Sequence, residues 1–152
     1  MVLIDPATRR PTPIPDDWRQ HYAPLCVRHQ PLIVPRQSPP QPPRPDHAYT
    51  TTVAWSDVDD NDHTNFTSYV RFAVDALHHA SKTGLLDGCL TKADISAGAS
   101  EVKVAYLGES GDGDVLHVHV WCQRDVDRTV VCSMDRDTEP VCQVTLSFHP
   151  SH

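Results

Sequence analysis

Apolar side chains recur at three and four positions through Phe66, Val70, Ala73, Leu77 and Ala80, and Tyr69, Phe72 and Ala76 widen that stripe. The spacing predicts one long helix over about residues 65 to 83. Asp62 or Thr64 is the expected N-cap and Gly84 the expected stop. A helix this apolar needs a cover, and a curved sheet would wrap it. Residues 49 to 55, rich in Thr and Val, predict a strand ahead of it. Downstream the period shortens to two. Val102, Val104 and Tyr106 alternate with Glu101, Lys103 and Ala105, and Leu116, Val118, Val120 and Cys122 alternate with His117, His119 and Trp121. Turns at 108 to 114, 125 to 127 and 135 to 140 leave two further strands, over 129 to 134 and 141 to 148. One strand, one helix and four antiparallel strands make an α+β fold, with the helix laid against an antiparallel sheet.

The N-terminal residues read differently. Val2-Leu3-Ile4-Asp5 is a short apolar run followed by Pro11, Pro13 and Pro15, so a strand there stops abruptly. Pro31, Pro35, Pro39, Pro40, Pro42, Pro43 and Pro45, with Gln and Arg between them, predict an extended polyproline-type linker. Pro39-Pro40-Gln41-Pro42-Pro43-Arg44 has the composition of an SH3-type ligand, and a spacer is the simpler reading. The expected organisation is an arm over 1–30, a linker over 31–46 and a folded domain over 47–150.

At 152 residues the chain is long enough for one core without staples. A net charge of -7 argues against an extended nucleic-acid footprint, which needs a basic stripe. No apolar run approaches the roughly 20 residues of a membrane span. Cys26, Cys89, Cys122, Cys132 and Cys142 form no Cys-x-x-Cys pair, and the chain has no signal-peptide-like start. Reduced thiols in a cytoplasmic or organelle-matrix protein are expected.

The polar run Trp55-Ser56-Asp57-Val58-Asp59-Asp60-Asn61-Asp62-His63-Thr64-Asn65 opens the helix. It sets His63 and several carboxylates beside a helix N-terminus, where unpaired N–H groups and the positive end of the macrodipole favour an anion or a carbonyl oxygen. Asp59 precedes His63 by four residues, so both can flank one cavity. Crowding among Asp57, Asp59, Asp60 and Asp62 should raise at least one carboxylate pKa. The alternating acids superficially match a cation loop. They lack the Gly at the sixth and the Glu at the twelfth position of a calcium hand, and no metal or cofactor is expected. His117 and His119 read as an exposed sheet edge or dimer surface rather than a ligand pair, and His78-His79 as a solvated or interface pair.

This run resembles the Asp-x-Asn-x-His-x-Asn signature of the acyl-ACP thioesterases, within the 4-hydroxybenzoyl-CoA thioesterase-like hotdog superfamily. Tyr106-Leu107-Gly108-Glu109-Ser110 resembles the Tyr-x-x-Glu-Cys segment that those enzymes carry on the strand after the helix. The resemblance covers roughly residues 48 to 149 and implies the hotdog fold, a long central helix wrapped by a curved antiparallel sheet. It implies hydrolysis of an acyl-CoA or acyl carrier protein thioester to free acid and thiol. Carried over by position, Asp59 is a base or nucleophile, Asn61 orients, and His63 orients or transfers a proton. Glu109 activates water, and helix N-terminal amides hold the carbonyl oxygen. Asn65, Phe66, Tyr69 and Ser110 fall on the substrate side, although an Asn at position 65 more often caps or braces the helix start, with Phe66, Tyr69, Val70 and Phe72 setting acyl length.

The departures are specific. Ser110 stands where those enzymes often have Cys, so a thiolate role is gone and a hydrogen-bonding role is expected. Phe66 replaces a second Asn, and Asp62 replaces the Gly of the bacterial branch. The N-terminal piece resembles the last strand and exit segment of an upstream hotdog domain. A homodimer or higher oligomer with sites at the interface is implied. An anionic carrier would need a local patch, with Lys103, Arg124, Arg128 and Arg136 as candidates. The alternative is a non-catalytic acyl-binding or dimerisation module with a Pro-rich recruiting arm. A hydratase or dehydratase on the same fold is disfavoured by the Asp/Asn/His placement.

Overall fold

The computed structural model describes residues 3–5, 7–8, 10–25, 36–37, 49–123 and 126–149. Cys26, the prolines from 31 to 45 with their linker and SH3-ligand readings, Arg124 and Asp125 lie outside them. The chain divides into two compact units, Met1–Ile33 and Val34–His152. In the first, β1 (Leu3–Ile4) pairs antiparallel with β2 (Pro11–Thr12). Asp5 closes the turn between them by accepting from the backbone N–H groups of Ala7 and Thr8, both at 2.8 Å. A short helix, α1 (Asp16–Tyr22), runs into a 3-10 turn, Ala23–Leu25.

The second unit holds β3 (Tyr49–Thr52), α2 (Phe66–Lys82), α3 (Lys92–Ala97), β4 (Ala99–Tyr106), β5 (Val115–Cys122), β6 (Thr129–Arg136) and β7 (Glu139–Phe148). The five strands form one antiparallel, curved sheet in the order β3-β5-β6-β7-β4. Helix α2 packs on β3, β5, β6 and β7. Its stripe buries Phe72, Ala73, Ala76 and Leu77 against Leu116 and Val118 of β5, Val130, Cys132 and Met134 of β6, and Val144 and Leu146 of β7. The period-two pattern therefore reports the core face correctly on β5.

Several boundaries differ from the sequence expectation. β3 ends at Thr52, and Trp55–Asp57 is a 3-10 turn. The last two strands are longer than predicted because the turn between them narrows to Asp137-Thr138, with Asp137 at φ +54°. The N-cap of α2 is Asn65, whose side-chain oxygen accepts from the Thr67 N–H at 3.0 Å. Asp62 is unavailable because it occupies a left-handed turn at φ +60°, and the Thr64 hydroxyl is engaged with Ser110. Gly84, at φ +75°, ends the helix region as expected. The short helix α3, its Thr91–Asp94 capping box and the buried pairing of Asp94 with Arg128 were not anticipated.

The cysteine expectation is corrected in part. Cys89 and Cys122 are disulfide-bonded, tying the turn after α2 to the end of β5. Cys132 and Cys142 are free and buried, and burial pushes both thiols up to about 12. A thiol so placed carries almost no thiolate near neutral pH. His117 and His119 do not mark a sheet edge, because β5 lies between β3 and β6. His117 Nδ1 sits 3.4 Å from Thr50 Oγ1, and His119 Nε2 sits 3.4 Å from Asp135 Oδ2. His78 and His79 are exposed as expected, and the His79 ring tilts against Tyr49. The sheet face away from α2 is also covered, for Ser133, Gln143 and Thr145 are buried there. On that face Gln143 pairs with the Gln37 backbone in both directions, each hydrogen bond 2.6 Å long.

The loop ahead of α2 is fixed by one buried carboxylate. Asp57 is 5% exposed. Its Oδ1 accepts from Arg71 Nη2 at 2.5 Å and from Ser68 Oγ at 3.0 Å, and its Oδ2 accepts from the Ala54 N–H at 3.1 Å. Removing the carboxylate strands those donors, so Asp57→Ala should cost about 3 kcal/mol of stability. Leu77→Ala should cost a similar ~3 kcal/mol by leaving a core cavity. Urea unfolding of both variants checks this, and an unchanged midpoint for Asp57→Ala would remove the carboxylate from this role.

Candidate active site

Residues 58 to 64 form a tight reversal. Val58 and Thr64 make an isolated bridge, and the Asp59 N–H donates to the His63 carbonyl at 2.8 Å. Asp59 Oδ1 then accepts from the N–H groups of Asn61 and His63 at 2.8 and 3.2 Å, and the Asp62 N–H donates to the Asp59 carbonyl. The loop is thus wound around its own acid. Asp62 takes the left-handed turn position at φ +60°, which Asp tolerates better than most residues and Gly better still.

The second strip, residues 107 to 111, leaves β4 and meets this loop. Thr64 N–H donates to the Ser110 carbonyl at 2.7 Å. Gly111 comes so near that a β-carbon there would lie 2.9 Å from the Asp62 carbonyl oxygen. The outcome is a pair of functional groups from separate parts of the chain, with His63 Nε2 at 3.3 Å from Glu109 Oε2. The imidazole is half-buried and the carboxylate faces solvent.

The expected residues separate by environment. His63 and Glu109 are brought together. Asp59 and Asn61 are exposed and belong to the loop scaffold, with Asp59 aimed at loop amides rather than across to Glu109. Asn65 caps α2, and its side-chain oxygen also accepts from Thr67 Oγ1 at 2.9 Å. Phe66 is 61% exposed at the helix start. Val70 is half-buried, Tyr69 is buried with its ring 6.1 Å from Tyr106, and Phe72 lies fully in the core. Ser110 is buried. Sequence reasoning gave Thr64 only a capping role and missed its bonds to Ser110 on the neighbouring strip.

Two expectations change. Asp59 lines a cleft of about 390 Å³ together with Trp55, Ser56, Val58, Asp60 and Asp62. Its acid lining is unsuited to an anionic carrier. Crowding does not raise the pKa of Asp57 or Asp59. Burial pushes Asp57 up, but the Ala54 amide, Arg71 and Ser68 together outweigh it and the net shift is downward. Hydrogen bonds from the Asn61 and His63 amides hold Asp59 below the usual carboxylate range. Three of the four basic-patch candidates are already paired. Lys103 pairs with Glu101 at 2.7 Å, Arg128 with Asp94, and Arg136 with Asp114 at 3.2 Å. The partners come from β4, from α3 and from the turn before β5.

Donors for a carbonyl oxygen are likewise fewer than the helix start alone implied. The N–H groups of Thr64, Asn65 and Thr67 are taken by Ser110 O, Asp57 O and Asn65 Oδ1. Among the described residues the Phe66 N–H has no acceptor, and it is the first amide of α2. No group of three or more His, Cys, Asp or Glu among the described residues is arranged to hold a metal ion.

Solved structures share this arrangement of helix and sheet. An acyl-ACP thioesterase from Bacteroides thetaiotaomicron VPI-5482 superposes with a TM-score of 0.66 at 20% identity, covering 96% of this chain and 53% of that one. The fold is the hotdog fold. A protein from Lactobacillus plantarum assigned as an oleoyl thioesterase gives a TM-score of 0.60 at 22% identity, covering 97% of this chain and 55% of that one. A Staphylococcus aureus protein solved in complex with CoA gives 0.54 at 18% identity, covering 68% of this chain and 74% of that one. This hotdog chain therefore spans about half the length of the first two. No protein-family model and no curated protein matches the sequence. No described helix is long and apolar enough to cross a membrane.

The Asp57 shift has a defined pH consequence. Because the folded pKa is lowered, its contribution to stability is complete above the unfolded value of about 3.9 and is lost as pH falls through the folded value. Stability measured from pH 6 downward should decline below about pH 4. The decline should be shallower in Asp57→Asn, and identical slopes would exclude Asp57 as a source of it.

Proposed function

We propose that this hotdog chain hydrolyses an acyl thioester of CoA or of an acyl carrier protein. The observation that carries the reading is the His63–Glu109 pair, 3.3 Å apart beside the start of a buried helix. Thioester hydrolysis needs a base for water and a donor for the carbonyl oxygen. Glu109, exposed and held by His63, is suited to take the proton from water as the water oxygen attacks the carbonyl carbon. The Phe66 N–H is available to the oxygen of the tetrahedral intermediate. As the intermediate collapses, the C–S bond breaks, the thiol leaves with a proton returned by the pair, and the acid is released. Asp59 supports this by fixing the loop, and the loop amides that lower its pKa make it a weak base.

The solved structures support the substrate class by analogy of fold: two are described as thioesterases, and a third holds CoA. The acyl chain is assigned to the apolar surface around Phe66, Leu107 and Tyr106, which stay 61%, 38% and 53% exposed. β4 is a sheet edge, and Val102 and Tyr106 point to the helix side beyond the cover of α2. A second hotdog unit beside β4 would bury that strip, which supports a homodimer.

The test is thiol release from a panel of acyl-CoA and acyl carrier protein thioesters. The wild-type chain should turn over at least one. His63→Ala and Glu109→Gln should lower kcat by about 10²- to 10⁴-fold, the usual contribution of a positioned acid or base. Asp59→Asn should act mainly by loosening the loop. No turnover of any acyl chain on either carrier would sink the enzyme reading and favour a binding module. Sedimentation should give twice the mass of the chain, and a monomer would remove the second unit.

A further inference from the structure

We propose that Thr64, Ser110 and Tyr69 form a buried staple of hydroxyl groups that sets the separation of His63 and Glu109 without touching substrate. The inference rests on the reading of His63 and Glu109 as the catalytic pair. Those two residues sit on different loops, one ahead of α2 and one after β4. Each is followed directly by a member of the staple, His63 by Thr64 and Glu109 by Ser110.

The contacts are dense. Thr64 Oγ1 lies 2.9 Å from the Ser110 carbonyl oxygen and 2.7 Å from Ser110 Oγ, and Tyr69 Oη lies 2.8 Å from Ser110 Oγ. The Thr64 N–H adds a bond of 2.7 Å to the same carbonyl. Thr64, Ser110 and Tyr69 are 8%, 2% and 3% exposed. Buried hydroxyls need partners, and one proton order satisfies all three. Tyr69 donates to Ser110 Oγ, Ser110 donates to Thr64 Oγ1, and Thr64 donates to the Ser110 carbonyl. Tyr69 stands on α2, so the chain of bonds also references both loops to the helix whose first amide faces the reaction. Gly111 and Asp62 pack in contact beside it, which leaves the loops little room to readjust.

This accounts for serine at position 110. A thiol is a weaker and larger hydrogen-bonding group, poorly matched to two partners at 2.7 and 2.8 Å. Ser110 is therefore a positioning residue, as are Thr64 and Tyr69, and none of them is a catalytic or substrate-contacting one.

The test combines turnover with a readout that needs no substrate. Ser110→Ala and the milder Tyr69→Phe should lower kcat by about 10- to 100-fold, the scale of an ångström misplacement, with KM little changed. Ser110→Cys should recover part of the loss. In the unliganded protein, the crystal structure of Ser110→Ala should show His63 Nε2 and Glu109 Oε2 drawn apart from their 3.3 Å separation. A purely structural role would lower the melting temperature and leave both that separation and the ratio of kcat to KM effects in place. Wild-type kcat and an unchanged separation in Ser110→Ala and Tyr69→Phe would overturn the staple. Absence of any wild-type turnover would instead remove the thioesterase reading, while the measured separation still decides the staple.

Discussion

Everything at this end of the molecule depends on a charge that has been taken out of water. Asp57 is buried, and it is tolerated there because Arg71, Ser68 and the Ala54 amide surround it with donors. Two of those donors stand on α2, and one belongs to the chain arriving from β3. The Asp57 carbonyl adds another tie by accepting from the Asn65 N–H at 2.7 Å. One residue thus locks an irregular loop to the most deeply packed helix of the fold. An apolar residue there would bury well but would leave the loop without direction.

From that anchor the geometry propagates outward in short steps. Asn65 caps the helix, Thr64 turns inward to the neighbouring strip, and His63 is left facing Glu109. The polar residues divide into those spent on the backbone and those left over. Asp59 is spent on two amides, and Asp57 on three donors. His63 and Glu109 meet each other at 3.3 Å across the two loops. The acidity of the run is thus mostly structural, although composition alone reads it as reactive.

Much of this fold was legible because its periods are clean. The stripe from Tyr69 to Ala80 and the alternation from Leu116 to Cys122 each follow one face of one element, and burial rewards that regularity directly, whereas Phe66 at the head of the stripe stays exposed. What could not be read was set by partners distant in sequence. Val102 and Tyr106 alternate like core residues yet stay exposed, because β4 lies at the sheet edge. The N-cap fell on Asn65 because the Thr64 hydroxyl had a stronger claim on it 46 residues away. The bond between Cys89 and Cys122, 33 residues apart, has no local signature at all. In the candidate site, the residues that meet were visible as motifs. Their division of labour was not, since it rests on which amides each carboxylate finds.

Gly111 carries a consequence for how such a chain can diversify. With a carbonyl oxygen only 2.9 Å from where its side chain would begin, the inner wall of the two loops is closed to experiment. Phe66, Leu107 and Tyr106 stand on the open rim and contribute little to the packed interior. Substitutions on the rim therefore disturb little packing, whereas any side chain at Gly111 must first displace the Asp62 carbonyl.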